Sequence, residues 1–284
     1  MIHYIENEQL KIGVKEQGCE LTSIFSKKDN TERLWQGDKS IWNGQSPIPF
    51  PVIGRLLDDK YILDGKEYEM PKHGFARNLQ WSLKEKSENS ISFILTDSEQ
   101  TFKMYPFRFK LIVTFTLEEN KLSVRHTVIN TDSRTIYFSL GAHPAFVCRI
   151  GDRLSFDTPE TLDSMKIDLE KSLLLTETKP VLKDETDIVI TKDIFNEDAL
   201  IFEGVKSEYV TLTSDNHNRK IRFNLGGAPY LGIWAKPGAP YVCIEPWYGL
   251  NDTPERKADL SLKTGINALK ESEEFNFTWS AEII

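Results

Sequence analysis

Two titratable residues stand where acid–base chemistry can be done. His143 follows an apolar run and a Gly141-Ala142 pair and precedes Pro144; Glu245 ends the run Tyr241-Val242-Cys243-Ile244 and precedes Pro246. Proline biases the residue before it toward extended backbone, so each side chain should leave a strand end in a fixed direction. A carboxylate ending a buried strand is costly to desolvate unless it has partners or faces a cavity. An imidazole gains and loses its proton near neutrality. The two types together can serve as general base and general acid. Each also has an ordinary reading: His143 as a histidine satisfied within the core, Glu245 as an ion pair closing the strand with Arg55 or Arg222.

Polar, Gly, Pro and aromatic residues crowd into four segments, at 49–55, 72–77, 140–146 and 243–249. On a β scaffold such loops and strand ends tend to carry function. In the first, Arg55 follows Gly54, and its planar fork suits paired sugar oxygens or a structural salt bridge equally. In the second, His73 beside Gly74, with Lys72 and Arg77 near, either donates a hydrogen bond to a hydroxyl or sits in a surface loop. Asp198, before the apolar run Ala199-Leu200-Ile201-Phe202, reads first as a turn or cap. His126 shares parity with Leu122, Val124 and Val128 and is expected to face inward as a structural residue. His3 and His217 receive no role.

Several chemistries find no footing. No two histidines share an H-x-H or H-x-x-x-H spacing and no C-x-x-C pair exists, so no metal site is expected. A P-loop, a G-x-G-x-x-G after a strand and a G-x-S-x-G elbow are missing as well. The net charge of −8 argues against nucleic acid or an anionic membrane as partner. Three cysteines, Cys19, Cys148 and Cys243, fit buried reduced thiols rather than a disulfide framework. The start MIHYIENEQLKIGV has neither a basic n-region nor an apolar h-region, and no apolar run approaches membrane-spanning length; a cytoplasmic protein is the expectation.

The elements that must position these residues read as strands. Apolar and polar residues alternate in 10–14 and from Phe109 to Leu117, and the pattern resumes at Leu122 and Val124 after a turn at 118–120, which predicts a long β-hairpin. Further strands are expected at Ser90–Thr96, Thr135–Leu140, Glu208–Thr213, Lys220–Asn224, Tyr230–Ala235, Pro240–Glu245 and Glu274–Ser280, with a turn at 214–218. Pro159–Ile167 and Arg256–Leu260 are each expected to make a helical turn or two. Aromatic residues, 11% of the chain, favour strands and also stack on sugar rings. The pattern predicts an all-β sandwich or barrel, and the lack of linkers and repeats predicts one domain over 1–284.

The segments HGFAR at 73–77, GAHPAF at 141–146 and CIEPWYG at 243–249, in this order, resemble the aldose 1-epimerase (galactose mutarotase-like) family, especially its LacX-like bacterial branch. The resemblance implies a large twisted antiparallel β-sandwich with an open sugar cleft, Glu245 as base and His143 as acid. It further implies Arg55 and His73 as sugar-binding residues and, through a looser motif, Asp198. Arg77, Trp234 and Trp247 join them as candidate sugar contacts by analogy. The resemblance has one departure: Pro-rich sequence stands here where galactose mutarotases carry an asparagine-rich stretch near the arginine. Anomer exchange by ring opening and closing needs no cofactor and only a small sugar as partner. A histidine acid needs its proton near neutrality, and a nearby carboxylate is expected to raise the protonated fraction. Three rival readings remain: a non-catalytic carbohydrate-binding sandwich, a hexose-phosphate mutarotase using Lys72, Arg77 and Arg55, and a glycosidase or lyase, which would want a second carboxylate.

Overall fold

A computed structural model describes residues 1–214, 219–255 and 259–284. The hairpin forms as the alternation predicts: Phe109–Glu118 pairs antiparallel with Lys121–Asn130, with Val113 opposite His126 and Leu117 opposite Leu122. Side chains alternate across a strand, so Leu111, Val113, Phe115 and Leu117 are buried in a single row.

This hairpin belongs to a fourteen-stranded sheet, antiparallel throughout. From one edge it runs Ser82–Lys86, Ser90–Thr96, Phe109–Glu118, Lys121–Asn130, Glu274–Ile283, Ile221–Asn224, Tyr209–Thr213, Arg153–Ile167, Leu200–Glu203, Tyr230–Trp234 and Tyr241–Tyr248. Two short strands, Leu140–Gly141 and Ala145–Val147, follow one another along the outer side of Tyr241–Tyr248, and Leu174–Val189 pairs with Arg153–Ile167. So many strands cannot stay flat and open. The large sheet buries its inner face together with a four-stranded sheet of Ile2–Glu6, Leu10–Lys15, Glu20–Ser26 and Thr31–Glu32. Ile12, Val14 and Ile24 of the small sheet lie in one buried cluster with Phe115, Val124 and Trp279 of the large one. The architecture is an all-β sandwich.

Three expectations change. Pro159–Ile167 is strand, the second half of Arg153–Ile167: Glu160, Leu162 and Ser164 are buried while Thr161 and Asp163 are exposed, a period of two rather than 3.6. Pro159 is tolerated because pairing with Leu174–Val189 is irregular between Ser155 and Glu160, and a bulge has no ladder bond for proline to break. The run at Thr135–Leu140 splits: Ile136–Phe138 pairs with Asn267–Leu269, while Leu140–Gly141 crosses to Tyr241–Tyr248. The α-helix found among the described residues, Glu99–Met104, falls where none was expected; Ser98 and Thr101 close it with a capping box. Residues 215–218 of the expected turn, and 256–258 of the expected helical segment, lie outside the described residues; Leu260–Leu262 form a single 3-10 turn. No described helix is long and apolar enough to cross a membrane. Cys19, Cys148 and Cys243 are free and buried, as composition suggested.

Candidate active site

One strand register brings His143 and Glu245 together. Gly141 pairs with Trp247 and Ala145 with Cys243, without a shift between them. The stretch between therefore sets His143 opposite Glu245, and Ala142 N donating to Pro246 O at 3.1 Å and Ile244 N to Pro144 O at 3.3 Å hold that register. Opposed residues of an antiparallel pair point to the same face. Alternation adds Cys243 and Trp247, two residues to either side of Glu245, to that face. On the other side of Tyr241–Tyr248, Gly232 pairs with Glu245 and Trp234 with Cys243. The Trp247 indole lies across the backbone of Gly141 and Gly232: a β-carbon at either would stand 2.7 Å from the ring. The glycine of the GAHPAF segment is thus there for close approach.

Nε2 of His143 lies 3.2 Å from Oε2 of Glu245. His143 is 8% exposed and Glu245 1%, and both border a cavity of about 450 Å³, a size usual for small-molecule sites. Burial pushes the His143 imidazole down to about 3, with the charges of Arg77 and Lys72 adding to the fall. Burial also holds the Glu245 carboxyl well above the usual carboxylate range, and the negative charge of Asp198 reinforces it. The expectation that the carboxylate would keep His143 protonated is therefore reversed in the free protein. Desolvation penalises both charged forms and so favours the neutral imidazole and the protonated carboxyl over the ion pair. Arg55 and Arg222, the anticipated partners of Glu245, are engaged elsewhere, with Asp59 and Glu282.

Of the other anticipated residues, His73, Arg77, Asp198, Trp234 and Trp247 all line the same cavity. His73 has a left-handed backbone, φ 62°, held by its own N–H donating to Gly54 O at 2.7 Å. Its Nδ1 accepts from Gly54 N at 3.1 Å. That nitrogen is therefore unprotonated, and burial beside His143 keeps the ring neutral. The remaining proton sits on Nε2, which makes His73 a donor. Arg77 Nη2 donates to Lys72 O at 2.7 Å, bracing the loop. Asp198 combines both of its readings: at φ 72° it forms the turn before Leu200–Glu203, its Oδ1 accepts from Ala199 N, and it still borders the cavity.

Arg55 is not brought to this cavity. Its guanidinium forks onto Asp59, Nε to Oδ1 at 2.8 Å and Nη2 to Oδ2 at 2.5 Å, and lines a neighbouring depression that shares only Lys72 with the cavity. A carboxylate four residues on captures the fork that was expected to hold sugar oxygens. Conversely, Trp42 went unnoticed in the sequence, where it sits in an irregular stretch without a motif. Its ring stacks on His143 at 5.3 Å and meets Trp234 edge-on at 5.5 Å, and it lines the cavity. Trp35 Nε1 bonds to Trp42 O, and the loop is tied down where Glu20 accepts from Gln45 N and Ser46 N. Asn251, also lining the cavity, is held by Ser172 O at 2.8 Å. No motif or periodicity in the sequence marked either residue.

Comparison with known proteins adds to this geometry. A family model described as aldose 1-epimerase matches residues 1–262. The LacX protein (plasmid) of Lactococcus lactis subsp. lactis is 32% identical over 266 residues, covering 88% of this chain and 89% of that protein. A putative glucose-6-phosphate 1-epimerase of Escherichia coli K12 is 26% identical over 281 residues, covering 90% and 87%. The crystal structure of a galactose mutarotase related enzyme from Lactobacillus acidophilus superposes with a TM-score of 0.95 at 32% identity, covering 100% of this chain and 97% of that one.

Proposed function

This chain belongs to the aldose 1-epimerase family, and from that premise we propose that it interconverts the α and β anomers of a hexose through Glu245 and His143. It is an isomerase of the sugar epimerase and mutarotase class. The observation that carries the residue assignment is the pair itself: an imidazole and a carboxyl group 3.2 Å apart, bordering a cavity of about 450 Å³ walled by indole rings.

The uncharged pair and the imidazolium–carboxylate pair hold the same single proton and differ only in where it sits. Sugar hydroxyls that enter and hydrogen-bond to the pair favour its charged form. Glu245 then takes the proton of the C1 hydroxyl while His143 protonates the ring oxygen, and the C1–O5 bond breaks. The aldehyde turns about the C1–C2 bond, and closure on its other face runs both transfers backwards. The pair ends as it began, so nothing is consumed. His73, with its proton on Nε2, donates to a sugar oxygen and stabilises charge that develops there. Asp198 accepts from a hydroxyl, and Trp42, Trp234 and Trp247 offer apolar faces to the ring.

Polarimetry on freshly dissolved α-glucose or α-galactose tests this reading. Glu245→Gln and His143→Asn should each remove most of the catalysed rate while the fold survives; near wild-type rates in either variant remove that residue from its role. A second reading, a phosphorylated hexose, is favoured by Lys72 and Arg77 on the cavity wall. A hexose 6-phosphate turned over much faster than the free sugar would establish it.

A further inference from the structure

The side chain directly beside the proposed proton-exchanging pair is a thiol. Cys243 is fully buried and is not among the residues lining the cavity, so the anomerisation chemistry has no use for it. Yet its Sγ, an imidazole nitrogen of His143 and a carboxylate oxygen of Glu245 all lie within 4.8 Å of one another. Strand geometry produces the cluster: Cys243 and Glu245 are alternate residues of one strand, and the register sets His143 opposite Glu245. Within the cluster, Nε2 of His143 and Oε2 of Glu245 already face each other at 3.2 Å, and both residues are buried.

We propose that His143, Cys243 and Glu245 form a binding site for a thiophilic divalent cation, Zn2+ by preference, that blocks the catalytic pair. Nitrogen, sulfur and oxygen donors suit Zn2+, which takes three protein ligands and leaves a fourth position to water. Bond lengths of about 2.0–2.3 Å in tetrahedral geometry put ligand atoms about 3.3–3.7 Å apart. The observed separations reach that range with side-chain shifts of about an ångström. A neutral imidazole, a thiolate and a carboxylate carry two negative charges, which the cation cancels. The occupied site is therefore neutral overall, the state a buried location favours. Metal would compete with the proton that the pair passes to and from the sugar. Inhibition rests on the catalytic reading above, whereas binding does not.

The test uses Co2+ as a spectroscopic probe and Zn2+ as the inhibitor, with the purified chain in a non-chelating buffer. Co2+ should bind one per chain with a thiolate-to-metal charge-transfer band and the intense visible bands of four-coordination, and Zn2+ should displace it. Cys243→Ala should abolish the charge-transfer band and weaken Zn2+ at least about tenfold, a loss that even outer-shell changes commonly cause. It should keep the basal anomerisation rate, which Zn2+ then no longer suppresses. Glu245→Gln, read by Co2+ absorption alone, should weaken binding as well and covers the case of a Cys243 variant that fails to fold. Absence of the band, or a band that survives Cys243→Ala, overturns the site. A chain that turns over hexose but ignores Zn2+ overturns the inhibition. A chain that binds Co2+ through Cys243 but turns over no hexose keeps the site and sinks the catalytic reading instead.

Discussion

His126 and His143 make a controlled pair. Both are buried, both stack on an aromatic ring, Phe277 at 5.3 Å for one and Trp42 at 5.3 Å for the other, and burial pushes both imidazoles down to about 3. The space each faces differs. His126 sits mid-sheet between Val113 and Phe277 and borders a void of about 10 Å³, too small to hold a water comfortably. His143 borders about 450 Å³ and faces a carboxyl group. A strongly shifted histidine is therefore not in itself a sign of a site. Desolvation produces the same shift in a packed core. What separates the two is a proton-exchanging partner and room for a ligand.

The sharpest way to break this contrast is to remove each histidine and read activity. Glu245→Gln and His143→Asn should lower the anomerisation rate by about 10²–10⁴, the usual worth of a positioned acid or base, in polarimetric assays. His126→Leu should leave that rate within about twofold; a loss as large as that at His143 would erase the distinction. The same variant should change the response to acid. Because the native His126 pKa is depressed to about 3, the unfolded chain binds a proton that the native chain refuses between about pH 6.5 and 3. Wild-type stability therefore falls as pH drops through that window. His126→Leu should remove about 2 kcal/mol of the loss between pH 7 and pH 5, measured by urea unfolding at both values. Trp42→Ala comes next: loss of the ring stacked on His143 should cost about 0.5–2 kcal/mol of transition-state stabilisation, seen as a fall in kcat/KM with unfolding little changed. Arg55→Ala should have the smallest effect, leaving KM and kcat nearly unaltered. A large rise in KM would show that Arg55 leaves Asp59 to reach the sugar.

Much of the fold was legible because its signal is local. Alternation in 109–117 and 122–124 gave the hairpin, and the strand at Ser90–Thr96 lies where the pattern put it. Where the local signal was mixed it misled. The stretch Pro159–Ile167 carries a proline and several polar residues, yet pairing on both of its sides makes it strand. The proline after each of His143 and Glu245 marked both positions. Nothing comparable marked Trp42, which owes its place to a loop anchored by Glu20, a residue far from any motif.

The sequence by itself determined the hairpin and most of the strands it predicted, and it singled out a histidine and a glutamate whose following prolines set their backbones, although the strand Tyr241–Tyr248 carries on past Glu245 instead of ending there; these signals follow from backbone preferences of neighbouring residues. The tertiary structure alone decided that the two face each other, that Cys243 lies beside them, that Asp59 takes Arg55 away, and that burial disfavours the charged form of each. Those outcomes depend on the register between strands distant in the chain and on how much water the finished packing excludes. No local periodicity encodes either one.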